Sequence, residues 1–325
     1  MSSVTSLCSV YHSLVFTVWR TLTSSSASHF NFYARKMEKT KEETARRHFL
    51  VVAASSRGAR FFVKNALLQG HSVTALCRAQ DDVAALARME GLLAETSLTE
   101  GGMGPAETPG KLAASNSNIF EAETFKKLLT ENALINALCC FVGVSGLSEM
   151  FKRDNKVYSN TISAMMEGMR QSRWVETYYH GSSGVEGAPG QHRAELPANY
   201  QPRCLLSLFF KLPVFLDYLT TEGLLAEAKS SGCQFVIFRP AFLTTNPAKR
   251  AFGRSLDTTG MDKPELPLRQ TLMEISREDV AEEMLRVASL PAGERAHWHG
   301  HGVYLADIKH GAEASGLLKL FGIKS

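Results

Sequence analysis

The pattern of apolar and polar positions between residues 48 and 78 predicts a strand, a turn, a helix and a second strand. The two apolar runs, Phe49–Val52 and Val73–Cys77, are short and continuous, which is typical of buried strands. Apolar positions from Phe61 to Leu68 keep helical spacing, and Gly70 ends this helix. A crossover helix of this kind returns its second strand parallel to the first. The segment is therefore predicted to form a parallel strand–helix–strand unit.

The rest of the chain repeats this alternation. One helix is predicted from the Asp81–Asp82 cap through Met89, and another is predicted in the segment LDYLTTEGLLAEAKSSG. The region Ala248–Leu268 is rich in Gly, Pro and charged residues and is predicted to form a loop on the substrate side. The alternation predicts an α/β fold in which a doubly wound parallel sheet carries a small C-terminal lobe on the substrate side. Further strands are expected at Leu112–Ala114, Ala133–Val144, Trp174–Tyr179, Phe235–Arg239 and Val303–Ala306, and further helices at Val157–Gln171 and Ser276–Val287.

The small-residue turn between the first strand and its helix is a candidate phosphate site. Unpaired N–H groups and about half a unit of positive dipole charge at a helix N-terminus favour a phosphate. Such loops often carry glycine, and a non-glycine residue forced into the left-handed region costs roughly 1–2 kcal/mol, so Ser56 and Ala59 either keep ordinary dihedral angles or carry strain. The predicted cofactor-binding residues of this turn are Ala53, Ser55, Ser56, Arg57, Gly58 and Ala59.

Arg78 follows the second strand and indicates which dinucleotide the turn would bind. An acidic residue at that position accepts a hydrogen bond from the ribose 2′-OH of NAD, whereas an arginine suits the 2′-phosphate of NADP. The sequence therefore predicts NADP(H) as the cofactor in preference to NAD(H).

Five segments together resemble an atypical short-chain dehydrogenase/reductase of the NAD(P)-binding, NmrA-like group, which includes flavin and biliverdin reductases. The resemblance covers about residues 49 to 308 and implies a Rossmann-type fold. The segments that carry it are VVAASSRGA, LLQGHSVTALCR, SNIFEAETFKKLL, VETYYHGSSGVEG and FRPAFLTTNP.

The resemblance also implies further cofactor contacts. Asn118 stands in for the aspartate that contacts adenine, although a helix cap before Phe125 is an equal alternative. Cys139 lies near the end of the fourth strand, where such sheets bind ligands, and is predicted to face the ribose or nicotinamide. A redox role for Cys139 and Cys140 is less favoured than packing, because adjacent strand residues point to opposite faces. The backbone at Pro240 is expected to run along the nicotinamide.

Ser182 and Ser183 are the predicted catalytic residues. They lie where related enzymes place a serine or threonine beside the nicotinamide, so either could donate to a carbonyl or a bound water; the alternative is a pair of turn hydroxyls. Mainstream members activate a tyrosine with a lysine four residues later, but Tyr218 is followed at that spacing by Glu222. Tyr218 is therefore not expected to act as the catalytic acid.

Two functions of different classes remain open. The preferred hypothesis is an NADPH-dependent oxidoreductase that acts on a small carbonyl, flavin or quinone-like molecule. Its substrate site would be covered by an apolar lid and floor; the candidate residues, which could equally be core residues, are Phe209, Phe210, Phe215 and Phe242. The alternative is a non-catalytic regulator or scaffold of the NmrA type that senses the nucleotide. The missing lysine favours the regulator, and the serine-rich strand exit favours the enzyme.

Residues 1–46 are predicted to form an extension outside the fold, followed by the NAD(P)-binding domain at 47–310 and a tail at 311–325. The first 37 residues are rich in Ser and Thr and contain no acidic residue, which resembles a transit peptide. The expected location is cytoplasmic, or mitochondrial or plastid if a transit peptide operates; Met37 is an alternative start. The apolar piece Leu14–Trp19 is far shorter than the ~20 residues that span a bilayer.

Composition excludes some function classes. A net charge of +4 is too small to indicate a nucleic-acid partner, and six cysteines without CxxC spacing favour a reduced interior. His297, His299 and His301 alternate just before the predicted terminal strand Val303–Ala306 and could offer metal ligands if they shared one strand face. No carboxylate or cysteine partner is near them in the sequence, so no metal site is predicted. The expected partner is a small-molecule substrate, and the pattern leaves the oligomeric state open.

Overall fold

The computed structural model describes residues 46–99, 108–143, 156–182, 213–240, 242–250, 252–256 and 274–307. The strands in these ranges are β1 (His48–Val52), β2 (Ser72–Leu76), β3 (Leu112–Ser115), β4 (Ala137–Cys140), β5 (Glu176–His180), β6 (Phe235–Pro240), β7 (Phe242–Thr244), β8 (Phe252–Leu256), β9 (Glu274–Ser276) and β10 (His301–Asp307). The helices are α1 (Arg57–Leu68), α2 (Asp82–Glu95), α3 (Ala122–Glu131), α4 (Val157–Arg170), α5 (Pro213–Lys229), α6 (Arg277–Ser289) and α7 (Ala292–Ala296).

The main sheet has the strand order β3-β2-β1-β4-β5-β6-β10-β8. Its strands are parallel except for β8, which pairs antiparallel with β10. β1 pairs with β2 through Val51↔Ala75 and with β4 through Val51↔Cys139, so the strand order reverses at β1. β7 and β9 form a separate parallel pair. The predicted doubly wound α/β fold is confirmed.

The alternation of side chains along the parallel strands builds a core on each face of the sheet. Phe49 and Val51 point to the face covered by α1, α2 and α6, where they pack with Phe62 and Met284. Leu50 and Val52 point to the other face. There the covering side chains come from α3, α4 and α5 and include Phe125, Ile162, Met165 and Leu225. Both faces are covered, as the continuous apolar strands predicted.

Several predicted boundaries were wrong. α1 begins at Arg57, four residues before Phe61, because Ser56 caps the helix there. α2 runs to Glu95 instead of ending at Met89. The predicted loop at Ala248–Leu268 contains β8, which forms by pairing with a distant strand and leaves little local signal.

The three alternating histidines do not lie on one strand. β10 begins at His301, and His297 and His299 precede it in a helix end and a turn, so the three side chains do not share a strand face. Across the described ranges, no group of three or more His, Cys, Asp or Glu side chains could hold a metal. In the same ranges, none of the helices combines the length and apolarity that crossing a bilayer would require. The extension at residues 1–45, residues 204, 209 and 210, and the tail from residue 308 lie outside the described residues, and the predicted domain boundaries remain predictions.

Candidate functional site

The reversal of strand order places a crevice at the carboxyl ends of β1 and β4. The chain leaves β1 toward α1 on one face of the sheet and leaves β4 toward α4 on the other face. Open α/β sheets bind ligands at such a switch point. The predicted phosphate turn follows β1 and therefore borders this crevice.

The turn carries its backbone strain at Ala53. Ala53 has φ of 56°, in the left-handed region, which costs a non-glycine residue roughly 1–2 kcal/mol. Ser56 has ordinary values of φ −67° and ψ 154°, and Ala59 lies within α1. Ser56 Oγ accepts a hydrogen bond from the Ala59 N–H at 3.4 Å, and Arg60 Nε donates to the Ser55 carbonyl at 3.1 Å. The turn is held in place, with the strain at its first residue.

The first turn of α1 contains Gly58, which is half-buried beside Phe141. A Cβ added at Gly58 would lie 3.5 Å from Phe141 Cδ1, which is an ordinary contact. Packing in the protein alone therefore does not require glycine here. Arg57, the first residue of the helix, is exposed, and its side chain has no carboxylate partner within the ranges that the structure describes.

Arg78 lies just beyond β2 with its side chain exposed. Its backbone is fixed: Arg88 Nη1 donates to the Arg78 carbonyl at 2.6 Å, and the next N–H, of Ala79, donates to Asn116 Oδ1 at 2.8 Å. Among the described side chains, none forms an ion pair with the Arg78 guanidinium. The loop thus fixes where Arg78 stands and leaves its charge available to a ligand.

Asn118 organises a local turn instead of capping the helix. Its Oδ1 accepts from the Phe120 N–H at 3.1 Å, and its Nδ2 donates to Glu121 Oε1 at 2.7 Å. The residue at the N-cap of α3 is Glu121, which makes no side-chain capping bond. The helix-cap interpretation of Asn118 was therefore wrong. The adenine contact remains a prediction, and the side chain is exposed at the end of β3.

The paired cysteines are packing residues. Cys139 lies in the core on one face of the sheet and Cys140 in the core on the other, and both are fully buried. Burial raises the pKa of Cys140 to about 12 and raises the pKa of Cys139 well above its usual value. Both stay protonated at neutral pH, so neither is a redox nucleophile. Cys139 lies one residue from the end of β4, where its backbone borders the crevice.

The far side of the crevice is formed by the end of β5. His180 is the last residue of this strand, and its ring lies 5.8 Å from the Phe141 ring. Burial lowers the pKa of His180 to about 4, helped by the positive charge of Arg277, so the imidazole is neutral at physiological pH. Ser182, two residues on, is half-buried, whereas Ser183 lies outside the described residues.

Sequence reasoning missed His180 and Arg277. A polar residue that ends an apolar strand directly before the serine pair could have indicated His180. Arg277 follows the correctly predicted Ser276 cap, whose Oγ accepts from the Asp279 N–H at 2.9 Å, and so stands at the N-terminus of a helix that faces α1. Pro240 was expected in the exit after a strand that ended at Arg239, but it is the last residue of β6, buried and paired in register with Leu305. Its contact with the nicotinamide remains a prediction.

Tyr218 lies on α5 and contacts another tyrosine. Its Oη donates to Tyr158 Oη at 2.8 Å, and the ring centroids are 4.0 Å apart. Burial raises the pKa of Tyr218 well above its usual value, and Tyr158 adds to the rise. The Tyr158 hydroxyl in turn lies 3.8 Å from where a Cβ at Gly143 would be, just beyond β4. Among the described residues, the surroundings of Tyr218 raise its pKa and so disfavour its action as an acid.

The position where mainstream members carry lysine holds one half of a buried ion pair. Glu222 accepts from Arg239 Nε at 3.0 Å and from Arg239 Nη2 at 2.8 Å, and both side chains are 0% exposed. Gly302 on β10 makes room for the guanidinium, since a Cβ there would lie 2.1 Å from Arg239 Nη1. Glu222 therefore ties α5 to β6.

A second polar cluster lies at the opposite, amino edge of the sheet. Arg47 Nη2 lies 2.7 Å from Glu176 Oε2, and Arg295 Nε lies 2.9 Å from the same oxygen. His299 Nε2 is 3.8 Å from Glu176 Oε1. These residues precede or begin strands, whereas the crevice lies where strands end. The cluster joins the start of β1 and β5 to the segment after α6 and has no part in the crevice.

No protein-family model matches the sequence, and no curated protein matches it. Solved structures do match. A short-chain dehydrogenase/reductase of the wide type from Veillonella parvula, in complex with NADP, is 10% identical with a TM-score of 0.54, over 84% of this chain and 100% of that one. A candidate NADH-flavin reductase from Streptococcus pneumoniae is 14% identical with a TM-score of 0.51, over 80% of this chain and 99% of that one.

An oxidoreductase from Lactococcus lactis gives a TM-score of 0.52 at 12% identity, over 80% of this chain and 90% of that one. At such identities the likeness concerns the fold. The strand order, the helices on both faces and these similarities together show that the chain has the Rossmann-type α/β fold.

Proposed function

We propose that this protein binds NADP(H) at the crevice between β1 and β4. The observation that carries the proposal is Arg78, an exposed and fixed arginine at the carboxyl end of β2, next to a phosphate turn that retains its left-handed first residue. A guanidinium at this place suits a 2′-phosphate. The solved structure from Veillonella parvula that shares this fold is a complex with NADP, which supports the choice of cofactor.

The residues present fit such a cofactor. Ala53, Ser55, Ser56, Arg57, Gly58 and Ala59 would line the pyrophosphate site at the positive end of the α1 dipole. The N–H groups of Arg57 and Gly58 are the proposed donors, because those of Ser56 and Ala59 already donate to the Ala53 carbonyl and to Ser56 Oγ. Asn118 would contact the adenosine, and the backbone at Cys139 and Pro240 would border the ribose and nicotinamide.

The proposed activity is NADPH-dependent reduction of a small carbonyl, flavin or quinone-like molecule. The cofactor supplies the hydride when bound. Ser182 and Ser183 would orient the substrate by donating to its carbonyl oxygen or to a bound water. His180 adds a neutral imidazole, which can accept or donate a hydrogen bond at the same strand end without adding charge. Oxidoreductases and a candidate flavin reductase among the structures of the same fold support this class.

A second function, a non-catalytic sensor of the nucleotide, is favoured by one observation. Glu222 replaces the lysine of the mainstream mechanism and is committed to Arg239. A regulator needs the crevice but no proton donor. Both functions use the same cofactor site, but only the enzyme would oxidise NADPH with a substrate.

Two measurements separate these possibilities. A thermal-shift titration with NADPH and NADH tests cofactor binding, and NADPH oxidation against a panel of flavins, quinones and carbonyls tests catalysis. The enzyme hypothesis predicts stabilisation by NADPH and turnover with at least one member of the panel. Stabilisation without turnover would support the sensor, and no stabilisation by either nucleotide would overturn the proposed cofactor site.

A further inference from the structure

Two arginines, and not Arg78 alone, carry positive charge at the carboxyl end of β2. Arg88, on α2, donates from Nη1 to the Arg78 carbonyl at 2.6 Å, which brings the two residues together. Both side chains are exposed, and neither forms an ion pair with a carboxylate in the described part of the chain. By contrast, the exposed helical Arg170 is paired with Glu167 at 2.7 Å. Arg88 therefore stands beside Arg78 without a carboxylate bonded to it.

The packing of α2 against the end of β2 fixes this arrangement. The Cys77 thiol donates to the Ala85 carbonyl at 3.5 Å, and Ala85 and Met89 are buried in the core of that face. Arg88 lies three residues after Ala85, so it projects from the same side of the helix toward the strand end. Burial raises the pKa of the Cys77 thiol, and the Arg88 charge opposes this rise, in keeping with their closeness. The place of the guanidinium thus follows from helix packing and from a hydrogen bond.

Two carboxylates lie close to these arginines in the sequence, and both are bonded elsewhere. Asp81 Oδ1 accepts from the Ala84 N–H at 2.8 Å. Asp82 Oδ1 accepts from the Asn116 N–H at 2.6 Å and from Ser115 Oγ at 3.2 Å. The two acids balance the two arginines, whereas a single arginine would leave this segment with an excess of negative charge that repels an anion. A phosphate at this place therefore needs the second guanidinium.

We propose that Arg88 is a second contact of the cofactor's 2′-phosphate, beside Arg78. The inference rests on the proposed function and adds to it a residue from α2 that determines cofactor specificity. A phosphate monoester carries nearly two negative charges at neutral pH, so two guanidiniums match it better than one. Arg88 uses an N–H of Nη1 on the Arg78 carbonyl, and its other N–H groups bond to none of the described residues. These are the donors that suit phosphate oxygens.

The test uses the full chain with Arg88→Gln, titrated by calorimetry with NADPH and, separately, with NADH. The variant should bind NADPH roughly 3- to 10-fold more weakly than the unmodified protein, as expected for one exposed charge-assisted contact, and should bind NADH equally well. Arg88→Lys should keep most of the NADPH affinity, because it retains the charge. The matched control is Arg170→Gln, which removes another exposed helical arginine and should change neither affinity.

A double variant separates a direct contact from an effect on the Arg78 backbone. If Arg88 only holds the Arg78 carbonyl, Arg88→Gln should change nothing once Arg78→Ala has removed the other contact. A direct contact predicts that Arg78→Ala, Arg88→Gln binds NADPH more weakly than Arg78→Ala alone. The loss caused by Arg88→Gln should also shrink below about pH 6, where the phosphate takes up a proton. A purely structural residue has no such pH dependence.

Unchanged NADPH affinity in Arg88→Gln, or a loss that vanishes in the Arg78→Ala background, would overturn the inference while the proposed function stands. An equal loss of NADPH and NADH affinity would also overturn it, because the 2′-phosphate is the group that distinguishes the two nucleotides. If the unmodified protein binds neither nucleotide, the proposed function fails and the role of Arg88 fails with it.

Discussion

The Glu222 carboxylate and the Arg239 guanidinium form a two-bond ion pair from which solvent is fully excluded. The pair joins helix α5 to the end of β6, beside Pro240 and the crevice. It also explains the departure from the mainstream catalytic pattern in physical terms. The position four residues after Tyr218 is occupied by a buried acid that is bonded to Arg239, so this position does not supply the lysine of the mainstream pattern.

Breaking this ion pair should be far more costly than replacing it. Arg239→Met leaves a buried carboxylate without its partner and should lower the free energy of unfolding by roughly 3–5 kcal/mol. The double variant Arg239→Met, Glu222→Leu should recover most of that loss, because an apolar pair of similar volume needs no charge compensation. Urea unfolding measures both. A double variant as unstable as the single one would show that the carboxylate is not the source of the loss.

Replacing Ala53 with glycine should relieve strain in the phosphate turn. Glycine adopts positive φ without penalty, whereas it also adds freedom to the unfolded chain, so we expect a net gain of about 1 kcal/mol or less. The control is Ala59→Gly, which lies within α1 and should cost roughly 0.5–1 kcal/mol. Chemical denaturation compares the two. Destabilisation by Ala53→Gly as large as that by Ala59→Gly would contradict the strained geometry.

Tyr218→Phe should keep kcat within a few fold if the protein is an enzyme. The hydroxyl donates to Tyr158, and its pKa is raised by burial, so it is a poor proton donor. Ser183→Ala should be the more damaging change, through lost orientation of the substrate carbonyl or water. Steady-state kinetics with NADPH and the best substrate of the panel compare the two. A drop of about a hundredfold in Tyr218→Phe, with Ser183→Ala unaffected, would restore the mainstream mechanism.

The stability of the protein should fall between pH 6.5 and pH 4 partly because of His71. Burial, with help from the Arg47 charge, lowers the pKa of His71 to about 4. The unfolded chain therefore takes up this proton first as the pH falls, so stability is complete above pH 6.5 and is lost toward pH 4. His71 Nδ1 accepts from the Arg47 N–H at 3.2 Å, and His71 Nε2 lies 3.1 Å from Ser289 Oγ.

His71→Gln keeps one donor and one acceptor but cannot titrate. The difference in unfolding free energy between this variant and the unmodified protein should change across pH 6.5 to 4, in favour of the variant at the acid end. Urea unfolding at several pH values measures that difference. A constant difference over the range would mean that His71 does not contribute to acid destabilisation.

The sequence predicted the strands and helix caps that depend on residues close together in the chain. Continuous apolar runs gave β1, β4 and β6, and the Ser276 and Asp81 caps were found in their predicted places, with Asp81 Oδ1 accepting from the Ala84 N–H at 2.8 Å. β8 was not predicted, because it is stabilised by pairing with β10, which lies about 50 residues further along the chain. The register of that pairing has no counterpart in the local sequence.

The candidate site was predicted unevenly for the same reason. The phosphate turn and Arg78 follow from a strand, a turn and a helix that are adjacent in sequence. Arg277 and His180 reach the crevice only after distant helices and strands have packed, so no spacing rule could join them. The position of the backbone strain was not predicted either. Comparison with glycine-rich loops indicated Ser56 and Ala59 as the candidates for strain, whereas the residue with positive φ is Ala53.

The most direct test of the account is the affinity of the full chain for NADPH and NADH, measured by calorimetry before and after Arg78→Ala. The unmodified protein should bind NADPH roughly 10- to 150-fold more tightly than NADH, as expected for one charge-assisted contact to the 2′-phosphate. Arg78→Ala should abolish most of that preference while leaving NADH affinity unchanged, and Arg170→Ala should leave both affinities unchanged. Equal affinities in the unmodified protein, or a preference that survives Arg78→Ala, would contradict the account.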